Sequence, residues 1–183
     1  MRASDIRPTG VEHRLGDDQI IVSKTDPKGL LTYVNDVFVD ISRYREDELL
    51  GQPHNIVRHP DMPRSVFKLL WDTIGSGHEL FAYVINLSKD GGHYWVFAHM
   101  TPSFGPGGQI VGYHSNRRAP EPSAVTRIRA LYDQLLAAER RETSTPAAIA
   151  AGTAVLQRTL AEAGLDYDEF VWNLTNESKG ARA

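Results

Sequence analysis

The chain has 183 residues, with 20 Lys and Arg against 23 Asp and Glu, a net charge of −3, 41% hydrophobic residues and no cysteine. These proportions fit a globular protein with one sizeable core and an appendage rather than a disordered chain. They exclude the basic footprint of a nucleic-acid binder and a polybasic membrane anchor. The missing thiol excludes disulfides, thiolate zinc, iron–sulfur clusters, thioether-linked haem and cysteine catalysis.

The polar start, residues 1–16, has no apolar signal region, and no stretch nears the roughly 18 apolar residues of a membrane span, so a soluble cytoplasmic protein is the expectation. "QIIVSK" (19–24) reads as a buried strand, "TDPKG" (25–29) as a turn and "LLTYVN" (30–35) as a second strand. Asn35 suits the N-cap of a short helix carrying Val37, Phe38 and Ile41, and "REDELLG" (45–51) reads as one helical turn stopped by Gly51. "GQPHNIVRHPDMP" (51–63) is a stiff loop, because its three prolines fix φ and bar the interior of a helix or central strand.

Pro63 suits the first position of a helix in which Val66, Phe67, Leu70 and Ile74 recur at helical spacing until Gly75 and Gly77. Three strands follow, "LFAYVINLS" (80–88), "HYWVFAHMTPSF" (93–104) and "QIVGYHSNR" (109–117), joined by hairpin turns at "KDGG" and "GPGG". The pattern is α+β, with short helices on one face of an antiparallel sheet. Composition shifts at "RRAPEPSAV" (117–125), and helices are expected at 123–141, 146–163 and 166–174. The last carries Tyr167, Phe170, Val171 and Trp172, an aromatic face that would dock on the main domain or on a second subunit.

"YVNDVF" (33–38), "GQPHNIVRHPDMP", Trp71 and "KDGGHYWV" (89–96) resemble the FAD-binding PAS domains of bacterial aerotaxis receptors and related sensor PAS domains. The resemblance spans about residues 17–119 and leaves 120–183 as a helical carboxy-terminal extension. It implies a five-stranded antiparallel PAS sheet with a cleft between its inner face and the short helices. FAD held there would report redox state to a chemoreceptor or other signalling protein. The chain shows neither a chemoreceptor signalling domain nor a membrane anchor, so the expectation is a stand-alone sensor acting through another polypeptide.

Isoalloxazine requires apolar walls, an amide to read its pyrimidine edge and a cation near that edge, and the pyrophosphate favours arginine. On the resemblance, Arg58 and His59 would be charged contacts, Asn55 an amide, Trp71 a wall, Asn86 the reader of the edge and Tyr94 the family's strand tyrosine. Asp61 is counted with them. A purely local reading instead pairs Arg58 with Asp61, lets Asp61 cap the next helix and makes His54 and His59 ordinary loop residues. Where relatives carry tryptophan and glycine, then a basic pair after the asparagine, this chain has Leu80, Ala82, Leu87 and Ser88. That implies a retuned pocket or a cofactor-free dimerisation or docking module.

A b-type haem on His54 or His59 is a further alternative. His93 and His99 share a strand face but lie roughly 20 Å apart by strand rise, too far to hold one metal ion. "FGPGGQIVG" lies between strands, not before a helix, so it is no phosphate loop, and no nucleophile–base pair of an enzyme is visible. Without a thiol, the cysteinyl adduct of light-sensing flavin domains is ruled out.

Overall fold

The computed structural model describes residues 5–180, with side chains as far as Thr175. Five strands, β1 (Ile21–Thr25), β2 (Leu31–Val34), β3 (Leu80–Leu87), β4 (His93–Phe104) and β5 (Ile110–Arg118), form one antiparallel sheet in the order β2-β1-β5-β4-β3. Between β2 and β3 run α1 (Asp36–Ser42), α2 (Glu46–Leu49), a 3-10 turn (His54–Val57) and α3 (Arg64–Gly75). After the sheet come α4 (Pro122–Glu139), α5 (Thr145–Ala163) and α6 (Tyr167–Gly180). The chain divides into two compact units, one running to Pro60 and resuming at Asp72–Ala119, the other taking Asp61–Trp71 and the residues from Pro120 onward.

In the first unit, Asn35 sets the join between sheet and helix. Its Oδ1 accepts from the backbone N–H groups of Phe38 at 3.2 Å and Val22 at 3.0 Å, while its Nδ2 donates to the Ile20 carbonyl at 2.8 Å. One side chain therefore starts α1 and fixes it beside β1. At the far end of α1, Ser88 Oγ donates to the Ile41 carbonyl at 2.8 Å and Lys89 N–H to the Ser42 carbonyl at 2.9 Å.

The polar amino-terminal segment, which the sequence leaves without structure, is tied to the sheet. β4 starts at His93 but pairs with β5 only from Phe97, so its first residues have an open edge. Residues 9–13 fill it: His93 N–H donates to the Val11 carbonyl at 2.8 Å, and His13 N–H to the His93 carbonyl at 2.7 Å. His13 Nε2 meets the Asp90 carboxylate at 2.9 Å. Gly91 sits at φ 87°, where its missing side chain lets the Arg7 carbonyl pass.

In the second unit, the start of α3 is capped from far along the chain. The buried Glu139 carboxylate accepts from Arg64 N–H and Ser65 N–H, both at 2.9 Å, and from Ser65 Oγ at 2.7 Å. Helix α5 comes against this pair at Gly152, where any Cβ would strike Glu139 Oε1 and Ser65 Oγ. Arg140 Nη2 donates to Asp61 at 2.9 Å. α6 buries Val171 and Leu174 and packs on α4, with Arg127 Nη2 donating to the Leu174 carbonyl at 2.8 Å, while Trp172 is exposed.

The strap over Gly91 gives a direct test. Gly51 also has a positive φ, 77°, but open space where a Cβ would stand, so Gly51→Ala should cost about 1–2 kcal/mol for the backbone alone. Gly91→Ala must also displace the Arg7 carbonyl and should cost about 1–3 kcal/mol more. Urea melts of the two variants read the difference; equal losses would show that the amino-terminal strap is not packed on the turn.

Candidate functional site

Directly paired residues of neighbouring strands share a face of a sheet. Ile21 and Ser23 of β1 lie opposite Arg117 and Ser115 of β5, which lie opposite Ala98 and Met100 of β4. Tyr94, farther along the same face of β4, lies opposite Asn86 of β3. Phe38 of α1 and His54 of the 3-10 turn both meet Arg117, so this is the helix-bearing inner face.

At its centre is a buried guanidinium. Arg117 is 4% exposed; its Nη2 donates to Ser23 Oγ at 2.7 Å and to His54 Nε2 at 2.6 Å, and its Cζ lies 5.3 Å from the Phe38 ring centre. Burial lowers Arg117 to about 10, opposed by Tyr94, which leaves it protonated at neutral pH. No carboxylate stands beside it among the described residues. Burial, then the Arg117 charge, push His54 down to about 3, so the imidazole is neutral and accepts the guanidinium proton. Phe38 stacks on His54, with ring centres 6.0 Å apart.

Tyr94 is fully buried, and burial holds its phenol well above the usual range, with Arg117 opposing and Tyr44 adding to the rise. Its hydroxyl has no hydrogen-bond partner among the described residues, and neither do Ser115 Oγ and Thr25 Oγ1 on the same face. Buried polar atoms are nearly always paired, so a row of orphans beside an uncompensated cation fits a ligand with acceptor atoms and a flat apolar body.

The proline-rich segment explains how His54 reaches Arg117. At one end, Leu30 and Pro53 form a bridge beside β2, and His54 N–H donates to the Gly29 carbonyl at 2.9 Å. At the other, Arg58 forms a bridge with Asn86 of β3. β2 and β3 are the two outer strands, so residues 53–58 cross the helix-bearing side of the sheet from edge to edge. The 3-10 turn within this segment carries His54, whose ring meets Arg117, and Pro53 and Pro60 fix φ on either side.

The residues singled out from sequence fall in different places. Asn86 and Tyr94 lie paired on the inner face, both buried, and Arg58, half-buried, joins them through its bridge. Consecutive extended residues point to opposite sides, and the buried His59 ring lies 5.8 Å from the His93 ring, on the outer face of the sheet. Asn55 is exposed on the 3-10 turn, and its carbonyl accepts from Arg58 N–H at 3.0 Å. Asp61 and Trp71 belong to the second unit, where Asp61 meets Arg140 and Trp71 is 39% exposed. The four replaced positions, Leu80, Ala82, Leu87 and Ser88, are all buried.

Sequence reading missed Arg117, Ser23 and the role of His54. No local signal was available: "QIVGYHSNR" shows no clear alternation, and only its register with "HYWVFAHMTPSF" puts its arginine on the side of Ala98. Among the described residues, no three His, Asp or Glu side chains cluster to hold a metal ion, and no helix is long and apolar enough to cross a membrane.

Stability against pH should report the half-buried His54 imidazole. A histidine unfolds to a pKa near 6.5, and His54 is at about 3 when folded, so the unfolded chain binds one more proton between these values. Its contribution is fully present above about pH 6.5 and is lost as pH falls toward 3, by at most about 1.4 kcal/mol per pH unit. His54→Gln, which keeps an acceptor for Arg117, should flatten the slope of melting stability between pH 6.5 and 4; an unchanged slope would place that imidazole in water.

Residues 19–115 match the family model described as PAS fold. The chain is 42% identical over 121 residues to the aerotaxis receptor of Escherichia coli strain K12, covering 66% of this chain and 24% of the receptor. It is 28% identical over 99 residues to a nitrogen fixation regulatory protein of Klebsiella pneumoniae, covering 54% of this chain and 20% of that protein. The chain thus spans about a quarter or less of the length of these two relatives. A solved light-oxygen-voltage domain studied with a flavin analogue superimposes with a TM-score of 0.54 at 16% identity, over 63% of this chain and 86% of that one.

Proposed function

The chain belongs to the PAS fold family, and on that premise we propose a redox sensor of aerotaxis type that binds FAD non-covalently on the inner face of its sheet. The sensing part is residues 17–119. The helices of 120–183 carry the response to a chemoreceptor or other signalling protein in the cytoplasm, as a monomer or a homodimer. The observation that supports this most is the buried Arg117 guanidinium, without a carboxylate, beside the orphaned Tyr94 hydroxyl.

The residues fit the group. Phe38, Tyr44 and Tyr94 would wall a flat ring, Asn86 would read an amide-like edge, and Arg117 would face the part that gains negative charge. Arg58, half-exposed at the β3 edge, suits the phosphates at the mouth. When bound, FAD supplies reversible electron uptake and a ring whose charge depends on it. The protein's share is to orient that ring, exclude water and hold a fixed positive charge beside it. Haem draws less support: His54 Nε2 already accepts from Arg117, and the His59 ring lies against His93.

Purified protein should carry flavin absorption in the blue and near ultraviolet, or gain it with FAD. Tyr94→Phe separates ligand contact from packing. Removing an orphaned hydroxyl should raise the stability of the FAD-free protein by about 1 kcal/mol and weaken FAD binding about five- to tenfold. A colourless protein that takes up no FAD would overturn this reading and leave a cofactor-free docking module; a Soret band would make it a haem protein.

A further inference from the structure

We infer that helix α3 is the element through which the sensing part of the chain reaches its carboxy-terminal helices, with the buried Glu139 as the positioning residue that couples α4 and α5 to it. This rests on the reading of 17–119 as the part that binds FAD and of 120–183 as the part that answers.

The two compact units do not part only after β5. Asp61–Trp71 is taken into the second unit, while Pro60 before it and Asp72 after it stay with the sheet. The second of these boundaries falls inside an unbroken helix, so α3 belongs to both units as one rod. Its 12 residues span about 18 Å. From Arg64 to Ile74 it has neither proline nor glycine, the usual causes of a kink. Its carboxy end lies in the first unit, where Ile74 is buried and an added Cβ at Gly75 would stand 4.0 Å from Tyr113 Oη of β5. Tyr113 shares a face of β5 with Ser115 and Arg117. Its amino end follows directly on the proline-rich segment that crosses this face. Both ends of α3 therefore lead back to the candidate site.

The amino half of α3 is gripped by a residue far along the chain. Pro63, just before the helix, has no side-chain acceptor for its first N–H groups. Glu139, the last residue of α4, supplies one, accepting from Arg64 N–H, Ser65 N–H and Ser65 Oγ. Glu139 and Ser65 are both buried, and Gly152 of α5 fits over them with no room for a side chain. The start of α3 thus fixes α4 and α5 together. Arg140 adds only an exposed ion pair to Asp61, which is worth little. Pulling a buried carboxylate off three donors leaves all of them unpaired in a dry place. A displaced α3 must therefore carry α4 and α5 with it or break the cap outright, and such all-or-none contacts turn small shifts into discrete ones. The direct link, residues 119–121, lies outside any helix or strand and has no ladder to carry a shift.

The test follows amide hydrogen exchange by mass spectrometry in the full chain, with and without FAD. A ligand that stabilises one part of a protein slows exchange wherever opening is coupled to that part. In the wild type, FAD should slow exchange in the strands and also, by about five- to tenfold, in residues 64–71 and 133–152. Glu139→Ala should bind FAD with an unchanged dissociation constant and keep the slowing in the strands, but lose it in 133–152. Ser65→Ala, a smaller change suited to the case where Glu139→Ala fails to fold, should reduce the slowing in 133–152 by about half or more. Arg140→Gln, which breaks only the exposed pair, should leave it in place. If either cap variant responds in 133–152 as the wild type does, or if the wild type responds in the strands and not there, the coupling through α3 fails while the flavin site stands. If the wild type takes up no FAD, the flavin reading fails, and urea tests the coupling without a ligand. Exchange in the strands and in 133–152 should then give one midpoint in the wild type and midpoints that part in Ser65→Ala; the same pattern in both proteins would overturn it.

Discussion

A positive charge is held inside this protein by neutral partners alone. Burying a guanidinium is costly, and the usual remedy is a carboxylate. Here the remedy is a serine hydroxyl, an imidazole kept from protonating, and an aromatic face. These groups come from β1, from the segment across the sheet and from α1, so the same interaction that makes the charge tolerable also locks the helical layer onto the sheet. Loss of the charge would be felt in the fold as well as in ligand binding.

The proline-rich run finds its purpose in this arrangement. A flexible loop crossing the sheet from Leu30 to Asn86 would lose entropy each time it ordered, and its histidine would sample water and take up a proton. With φ fixed at Pro53 and Pro60 and a 3-10 turn between them, His54 is held where only its neutral form fits. The stiffness was legible in the residues. Its object was not, since the run offers Arg58 and His59 more visibly than it offers His54.

Most local structure could be read from the sequence because its determinants are local. Asn35 caps α1 through its own side chain, Ser144 caps α5 from three residues away, and Gly164 closes that helix at φ 66°. The hairpin turns at "KDGG" and "GPGG" carry the positive φ their glycines allow. What escaped notice depends on distant residues. Glu139 caps α3 from the end of α4, and no local pattern announces it. Trp71 fits the apolar stripe of its helix yet is 39% exposed, because periodicity marks a face without saying how far the cover extends. Arg117 was obscured by its neighbours: Gly112, Ser115 and Asn116 blur the alternation of β5, and the "RR" that ends it reads as the start of a linker. Only strand register, which one strand alone cannot supply, turns that arginine inward.

The most direct measurement follows the guanidinium itself. In protein labelled with nitrogen-15 at arginine, the Arg117 side-chain resonances, assigned with the Arg117→Lys variant, should shift when oxidised FAD is added and shift again on reduction, with the Arg58 signal moving less at the second step. Arg117 resonances that stay fixed through both additions, while Arg58 follows the redox state, would contradict the account.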